Sequence, residues 1–329
     1  MIPEISIVIP AYKAVPFIGR LLSQIYAQDF DRDFECIVVD DCSQDDTPGA
    51  FRKAAESCPP HIDLKYLRNQ VNRGPGFTRN EGIRAATGKY ILMFDCDDEI
   101  TPDCLSVIWN TAEKYGFPDM VVGSIICESP KVGQSDFVEK GLPDYVGTHE
   151  EAKALIIDVW SIPQTPDNKL IKRELFESHP NIFFKEDVRI AEDMCWTFYL
   201  AKAVNTMALA KKPTYVYKLV PTGLTQTNDG ELYCKSYTII MDDVLKHIDD
   251  PCREGQLKLV KRFYWAWVAY NGKFNSEYER AIRLEGGHIT WKERKPRLKL
   301  LMHKYFSPKR YINYIKKHLL KMPVETKTR

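Results

Sequence analysis

The sequence predicts an α/β fold: a mostly parallel sheet with helices on both faces, followed by a C-terminal helical extension. Two observations carry this expectation. In the first half, short strand runs alternate with segments of helical spacing, and the runs are apolar on both faces, as strands buried from either side must be. Beyond residue 228 the strand runs stop and only helical patterns follow.

The elements follow one another regularly. Ile5 to Ile9 is a β-branched run closed by Pro10. Pro16 then opens a helix marked by Phe17, Leu21, Leu22 and Ile25, at a position where its missing N–H costs least. Phe34 to Val39 reads as the second strand, Thr47 to Ser57 as a helix and Leu64 to Leu67 as a third strand. A helix is expected from Pro75 to Ala86 with Gly88 as its stop, then a strand from Tyr90 to Phe94. A helix from Thr101 to Tyr115 and a strand from Met120 to Ile126 complete the alternation. Ser129 to Gly147 is polar and rich in proline and glycine, which predicts a long loop, and Thr148 to Val159 predicts a helix.

The totals bound the class. The 329 residues, 44% hydrophobic and 12% aromatic, suffice for one large globular domain with an appendage. Lys+Arg 46 against Asp+Glu 45 gives a net charge of +1, so no nucleic-acid partner is expected. Nine scattered cysteines without a Cys-x-x-Cys pair suggest neither a disulfide framework nor a zinc site, and point to a reducing, cytoplasmic setting. Met1-Ile2-Pro3-Glu4 leads into a strand without a basic-then-apolar segment, so no secretory leader is expected.

In parallel sheets, ligands bind beyond the carboxyl ends of the strands. That rule gathers Pro10 and Tyr12, Asp40 and Asp41, and the acidic run Asp95-Cys96-Asp97-Asp98-Glu99 at one crevice. Three aspartates and a glutamate within five positions repel one another. A hard divalent cation shared with substrate phosphates would relieve that repulsion; the plainer alternative is an acidic turn that caps the next helix. Asp40 and Asp41 either form turns or accept hydrogen bonds from a nucleobase or ribose. Asn72-Arg73-Gly74-Pro75-Gly76 is either an ordinary turn into a helix or a close approach to phosphate, with Arg79 one turn inside supplying positive charge. Neither a Walker loop nor a dinucleotide fingerprint is present.

Taken in order, Ile7-Val8-Ile9-Pro10-Ala11-Tyr12, Ile37-Val38-Val39-Asp40-Asp41-Cys42-Ser43, Arg79-Asn80-Glu81-Gly82, Ala86-Thr87-Gly88-Lys89-Tyr90 and Phe94-Asp95-Cys96-Asp97-Asp98 resemble the serial motifs of family 2 glycosyltransferases, of the kind that build bacterial capsule, lipopolysaccharide and exopolysaccharide. The resemblance covers roughly the first 130 residues. It implies the GT-A fold, a Rossmann-like variant of the expected sheet, and a crevice holding a nucleotide-sugar, often a UDP-sugar. By the same resemblance, Pro10, Tyr12 and Asp41 line the uracil pocket and Arg79 lies near the nucleotide. Asp95 and Asp97 match the Asp-x-Asp that meets metal and ribose, with Asp98 an extra carboxylate, and the ion would be Mn²⁺ or Mg²⁺. Two departures stand out: Lys13 where Asn is usual, and Cys42 where Gly is usual.

In the second half, Asp167-Asn168-Lys169-Leu170-Ile171-Lys172-Arg173 resembles an Asn-Lys-Leu-hydrophobic-Lys-Arg segment of these enzymes. There Lys169 faces a donor or acceptor phosphate; Lys172 and Arg173 equally suit the solvated start of a short helix. Glu192-Asp193 opens a helix, where the dipole alone favours acidic residues. An inverting sugar transfer also needs a base within reach of the acceptor hydroxyl, and the family places such an acidic pair here. Asp193 is the expected base, with Glu192 second. Tyr215, Tyr217 and Lys218, with the turn from Thr222 to Thr227, loosely match the segment that closes the donor site. Phe263-Tyr264-Trp265-Ala266-Trp267 reads most simply as packing. From Lys292 onward, basic residues alternate with apolar ones, which suits either an anionic membrane surface or a helix packed on the domain.

The expectation is a GT-A domain over residues 1–228, with a nucleotide-sugar half (1–126) and an acceptor half (127–228), and a helical region over 229–329. The activity expected is metal-dependent inverting transfer of a sugar to a glycan or lipid-linked acceptor, at the inner face of the cell membrane. The rivals are a nucleotidyltransferase and a non-catalytic binding module.

Overall fold

The computed structural model describes residues 2–129, 133–136, 142–158, 161–218, 229–249, 253–271, 274–290 and 293. The basic stretch from Lys292, apart from Glu293, and the turn from Thr222 to Thr227 lie outside the described residues.

By compactness the chain divides into two units, Met1–Asn228 with Asp249–Leu259, and Asp229–Ile248 with Val260–Arg329. The first holds one ten-stranded sheet among the described residues. Its strands are β1 (Ile5–Ala11), β2 (Phe34–Asp40), β3 (Ile62–Arg68), β4 (Tyr90–Met93), β5 (Glu99–Ile100), β6 (Met120–Ser129), β7 (Gly133–Asp136), β8 (Tyr145–Val146), β9 (Lys169–Lys172) and β10 (Met207–Lys218). The order is β3-β2-β1-β4-β9-β6-β10-β5, with β7 on β6 and β8 on β10.

One side of the sheet, β3-β2-β1-β4, is wholly parallel. Helices α1 (Ile18–Tyr26), α2 (Thr47–Ala55) and α3 (Pro75–Ala85) connect these strands. Ile5, Ile7, Val8, Ile9, Ile37 and Val38 are fully buried, which is why both faces of these strands had to be apolar. Asp46, one residue before α2, accepts a hydrogen bond from Gly49 N and caps that helix, so Asp40 and Asp41 do not.

The rest of the sheet is mixed. β9 runs antiparallel between β4 and β6 and joins the parallel set to the β6–β10 pair. The basic helix start considered at Lys172 and Arg173 is therefore only partly found: Lys172 ends β9 and pairs with Asp119 at 3.3 Å, while Arg173 begins α6 (Arg173–Ser178). The stretch read as a loop from Ser129 contributes β7 and β8, because the open edges of β6 and β10 supply unpaired backbone groups for short strands to satisfy. Helices α4 (Cys104–Lys114), α5 (His149–Ile157) and α7 (Glu192–Ala203) complete this unit, with Thr148 capping α5 by accepting from Glu151 N.

The second unit contains α8 (Gly230–Val244), much of α9 (Arg253–Asn271) and α10 (Ser276–Leu284). Phe263 and Tyr264 are fully buried, Trp267 Nε1 donates to Thr238 at 2.9 Å and Tyr264 donates to Glu279 at 2.7 Å. The aromatic run is core.

Five described non-glycine residues adopt positive φ: Lys13 (51°), Cys42 (56°), Phe117 (59°), Asn168 (58°) and Ala191 (60°). Lys13 and Cys42 are the two departures from the family's usual Asn and Gly, residues that tolerate this region best. Cys42→Gly is therefore expected to stabilise the fold by roughly 0.5–1 kcal/mol, the relief of a left-handed side chain partly offset by a freer unfolded chain. Urea unfolding checks this, and a lower midpoint would contradict it.

Candidate active site

The site is assembled at the C-terminal ends of β1, β2 and β4. Asp41 follows β2 and points its carboxylate at the entry to α3, accepting from Gly74 N (2.7 Å), Arg73 N (2.8 Å) and Asn69 Nδ2 (2.9 Å). Gly74, at φ 88°, turns the chain so that Pro75 starts the helix. Asp40, also buried, is held by Tyr66, Arg68 and the Ser43 N–H. One turn into α3, Arg79 is delivered to the centre of the crevice, while Asn80 exchanges two 2.9 Å hydrogen bonds with the Phe184 backbone.

Arg79 is only 4% exposed and joins two acidic groups. Its Nη2 reaches Asp95 Oδ1 at 2.7 Å and its Nη1 reaches Glu192 Oε1 at 2.9 Å. A buried guanidinium needs such partners, since an unpaired charge here would cost several kcal/mol. Burial works against its charge, but the carboxylates of Asp95, Glu192 and Asp167 more than compensate and raise its pKa.

On the Asp95 side, carboxylate oxygens of Asp95, Asp98 and Asp167 lie within 4.8 Å of one another. Asp98 accepts from Tyr215 Oη (2.5 Å) and Lys218 N (2.7 Å). Burial first, then the neighbouring Asp95, pushes its pKa up to about 8. Asp167 is raised by the same two causes. Among the described residues, Asp167 Oδ1 is buried with no hydrogen-bond partner. An all-oxygen donor set with an orphaned buried oxygen fits a hard divalent cation. Asp97 is not one of the three; it is half-buried, and its carbonyl accepts from Arg20 Nη2 at 2.7 Å.

On the other side, Ala191 at φ 60° sets Glu192 and Asp193 at the start of α7. Glu192 is raised by burial and by Asp193, against the pull of Arg79. Asp193 is raised by burial and held back by Met194 N–H, which donates to its Oδ1 at 2.7 Å. Lys169, 1% exposed, donates to Thr165 O, and burial pushes it down to about 8 despite the charges of Asp167 and Asp193. Tyr12 is 45% exposed with Lys13 Nζ 5.4 Å over its ring, and Pro10 is half-buried. Lys218 pairs with Glu99 (3.1 Å) and Glu128 (2.5 Å).

Residues 6–179, more than half of the chain, match the family described as Glycosyl transferase family 2. The chain belongs to that family. Among family relatives, the chain is 28% identical over 233 residues to the glycosyltransferase EpsJ of Bacillus subtilis, covering 69% of this chain and 64% of EpsJ. It is 25% identical over 216 residues to the poly(ribitol-phosphate) beta-N-acetylglucosaminyltransferase TarS of Staphylococcus aureus, covering 65% of this chain and 35% of TarS. The chain thus spans less than two thirds of either relative in sequence. The crystal structure of S. aureus TarS 1-349 in complex with UDP-GlcNAc superposes with a TM-score of 0.67 at 20% identity, over 98% of this chain and 93% of that one. The mannosyltransferase PcManGT of Pyrobaculum calidifontis, in complex with GDP-Man and Mn²⁺, gives 0.52 at 19% identity over 98% and 81%. The family fold is GT-A, as the motifs implied.

Asp167 and Tyr215 join the site without being among the candidates that the motifs mark. Asp167 had a signal: like Asp95 it abuts an apolar strand, but on an antiparallel strand the acid precedes the apolar run instead of following it.

The acid shifts set a pH dependence. Between the ordinary carboxylate range and about 8, the unfolded chain releases protons that folded Asp98 retains, and Asp167 and Glu192 act in the same direction. Stability is then greatest below that window and is lost as pH rises through it. With a chelator present, the melting temperature is expected to fall between about pH 5 and about pH 8. A flat or rising profile would contradict the assignment.

Proposed function

We propose that the chain is a metal-dependent, inverting glycosyltransferase that moves a sugar from a nucleotide-sugar, a UDP-sugar, to a hydroxyl of a glycan or lipid-linked acceptor in surface polysaccharide synthesis. The observation that carries this reading is Arg79, which ties Asp95 of the cation-type group to Glu192 of the α7 pair. One buried cation holds two acidic sites of different work at fixed separation. The crystal complex of TarS with UDP-GlcNAc and the name of TarS, which specifies transfer to poly(ribitol-phosphate), support a sugar donor of this type and a surface polymer as acceptor.

In this reading Pro10, Tyr12 and Asp41 line the base pocket. Asp41 spends three of about four lone-pair sites on the α3 entry, leaving one for the nucleobase. Asp95 and Asp97 face the nucleotide-sugar, and Asp95 and Asp98 hold Mn²⁺ or Mg²⁺, with Asp97 adjoining. When bound, the ion supplies Lewis-acid neutralisation of the departing diphosphate. Lys169 and Arg79 add positive charge along the floor.

Glu192 is engaged by Arg79, so Asp193 is the carboxylate available as general base. It takes the proton of the acceptor hydroxyl as that oxygen attacks the anomeric carbon from the face opposite the diphosphate, which inverts the centre. Among the described residues no helix is long and apolar enough to cross a membrane. The basic, apolar-interleaved sequence from Lys292 suits attachment to the anionic inner face, where lipid-linked acceptors reside.

Asp193→Asn is expected to retain nucleotide-sugar binding and to lose transfer by about 10²–10⁴. Binding by calorimetry and transfer by nucleotide release check the two halves, and undiminished transfer would remove Asp193 from the role.

A further inference from the structure

We infer that Asp167 is a third carboxylate ligand of the cation site, and that this site takes up its divalent ion before any nucleotide arrives. The inference rests on the metal-dependent reading above and adds an order of binding to it. The usual arrangement for a cation such as Mg²⁺ in phosphate chemistry is one or two protein carboxylates completed by substrate phosphates, so the ion and the nucleotide depend on each other. Here three carboxylates come within 4.8 Å of one another from two separate chain segments.

The geometry of Asp167 is fixed by the fold alone. It forms an isolated parallel bridge with Met93, the last residue of β4, and the next residue donates from Asn168 N to Met93 O at 3.2 Å. Asn168, in the left-handed conformation, donates from Nδ2 to Ser124 O at 3.0 Å and accepts from Thr214 Oγ1 at 2.9 Å. Gly123 leaves room for that amide: a Cβ there would lie 2.4 Å from Asn168 Nδ2. The backbone that presents Asp167 is therefore pinned to β4, β6 and β10 with no contribution from a ligand.

Asp167 itself is 1% exposed, and among the described residues its Oδ1 has no hydrogen-bond partner. A buried carboxylate oxygen with no donor, next to two further carboxylates, suits a ligand of a hard cation. Arg79, through Asp95 and Glu192, and Lys169, whose own charge burial disfavours, meet the charge of three carboxylates only in part.

The test is a titration of the nucleotide-free chain with Mn²⁺, following the free ion by its electron paramagnetic resonance signal and the fold by circular dichroism. The wild-type protein is expected to bind one ion per chain, and Asp167→Asn, nearly isosteric, to bind it about 10-fold more weakly or worse. Binding by the wild type that appears only when UDP is added overturns the inference and leaves the metal-dependent reading standing. No binding with or without UDP overturns both. Equal binding by folded Asp167→Asn removes Asp167 from the ligand set. Should that variant fail to fold, the wild-type titration without nucleotide still decides the order of binding.

Discussion

The arrangement depends on one buried guanidinium. Arg79 sits where β1, β2 and β4 end, and removing it would leave Asp95 and Glu192 facing an interior already crowded with Asp98, Asp167 and Asp193. Two full charges 4.8 Å apart repel by roughly 3.5 kcal/mol at an effective dielectric constant of 20. Burial first, and then this repulsion, move the pKa values of Asp98, Asp167 and Glu192 up, while the charge of Arg79 pulls Asp167 and Glu192 back. The preceding structure exists to place Arg79: Asp41 fastens the turn, Gly74 reverses the chain and Pro75 starts α3.

Strain is concentrated around the same crevice. Lys13 and Cys42 follow β1 and β2, Asn168 lies between Asp167 and Lys169, and Ala191 immediately precedes Glu192. Each left-handed residue aims its neighbour where a relaxed backbone would not, at a cost of about 1–2 kcal/mol. The surrounding hydrogen bonds, such as those of Asn168 to Ser124 and Thr214, overdetermine these conformations.

Much of this was legible because parallel strands place their carboxyl ends together, so that Asp41, Arg79 and Asp95 could be gathered from their positions after strands or inside a helix. The apolar runs mark the four strands of the wholly parallel half to within two residues at each end, the third lengthening from Leu64–Leu67 to Ile62–Arg68. What stayed hidden required three-dimensional knowledge. β9 carries only four residues, and its antiparallel direction puts Asp167 before the apolar run. Tyr215 looked like one tyrosine of a closing strand, and only the β5–β10 pairing brings its hydroxyl to Asp98. The Arg79–Glu192 pair spans 113 positions, a separation no local pattern reports.

In the function proposed, the acidic crevice holds a nucleotide-sugar through a divalent cation. This is tested most directly by the melting temperature of the protein with a UDP-sugar, measured once with Mn²⁺ and once with a chelator. Stabilisation by the UDP-sugar is expected with Mn²⁺ and is expected to be largely lost in the chelator, since only a ligand bound to the folded state raises its stability. Equal stabilisation in both, or none in either, would contradict it.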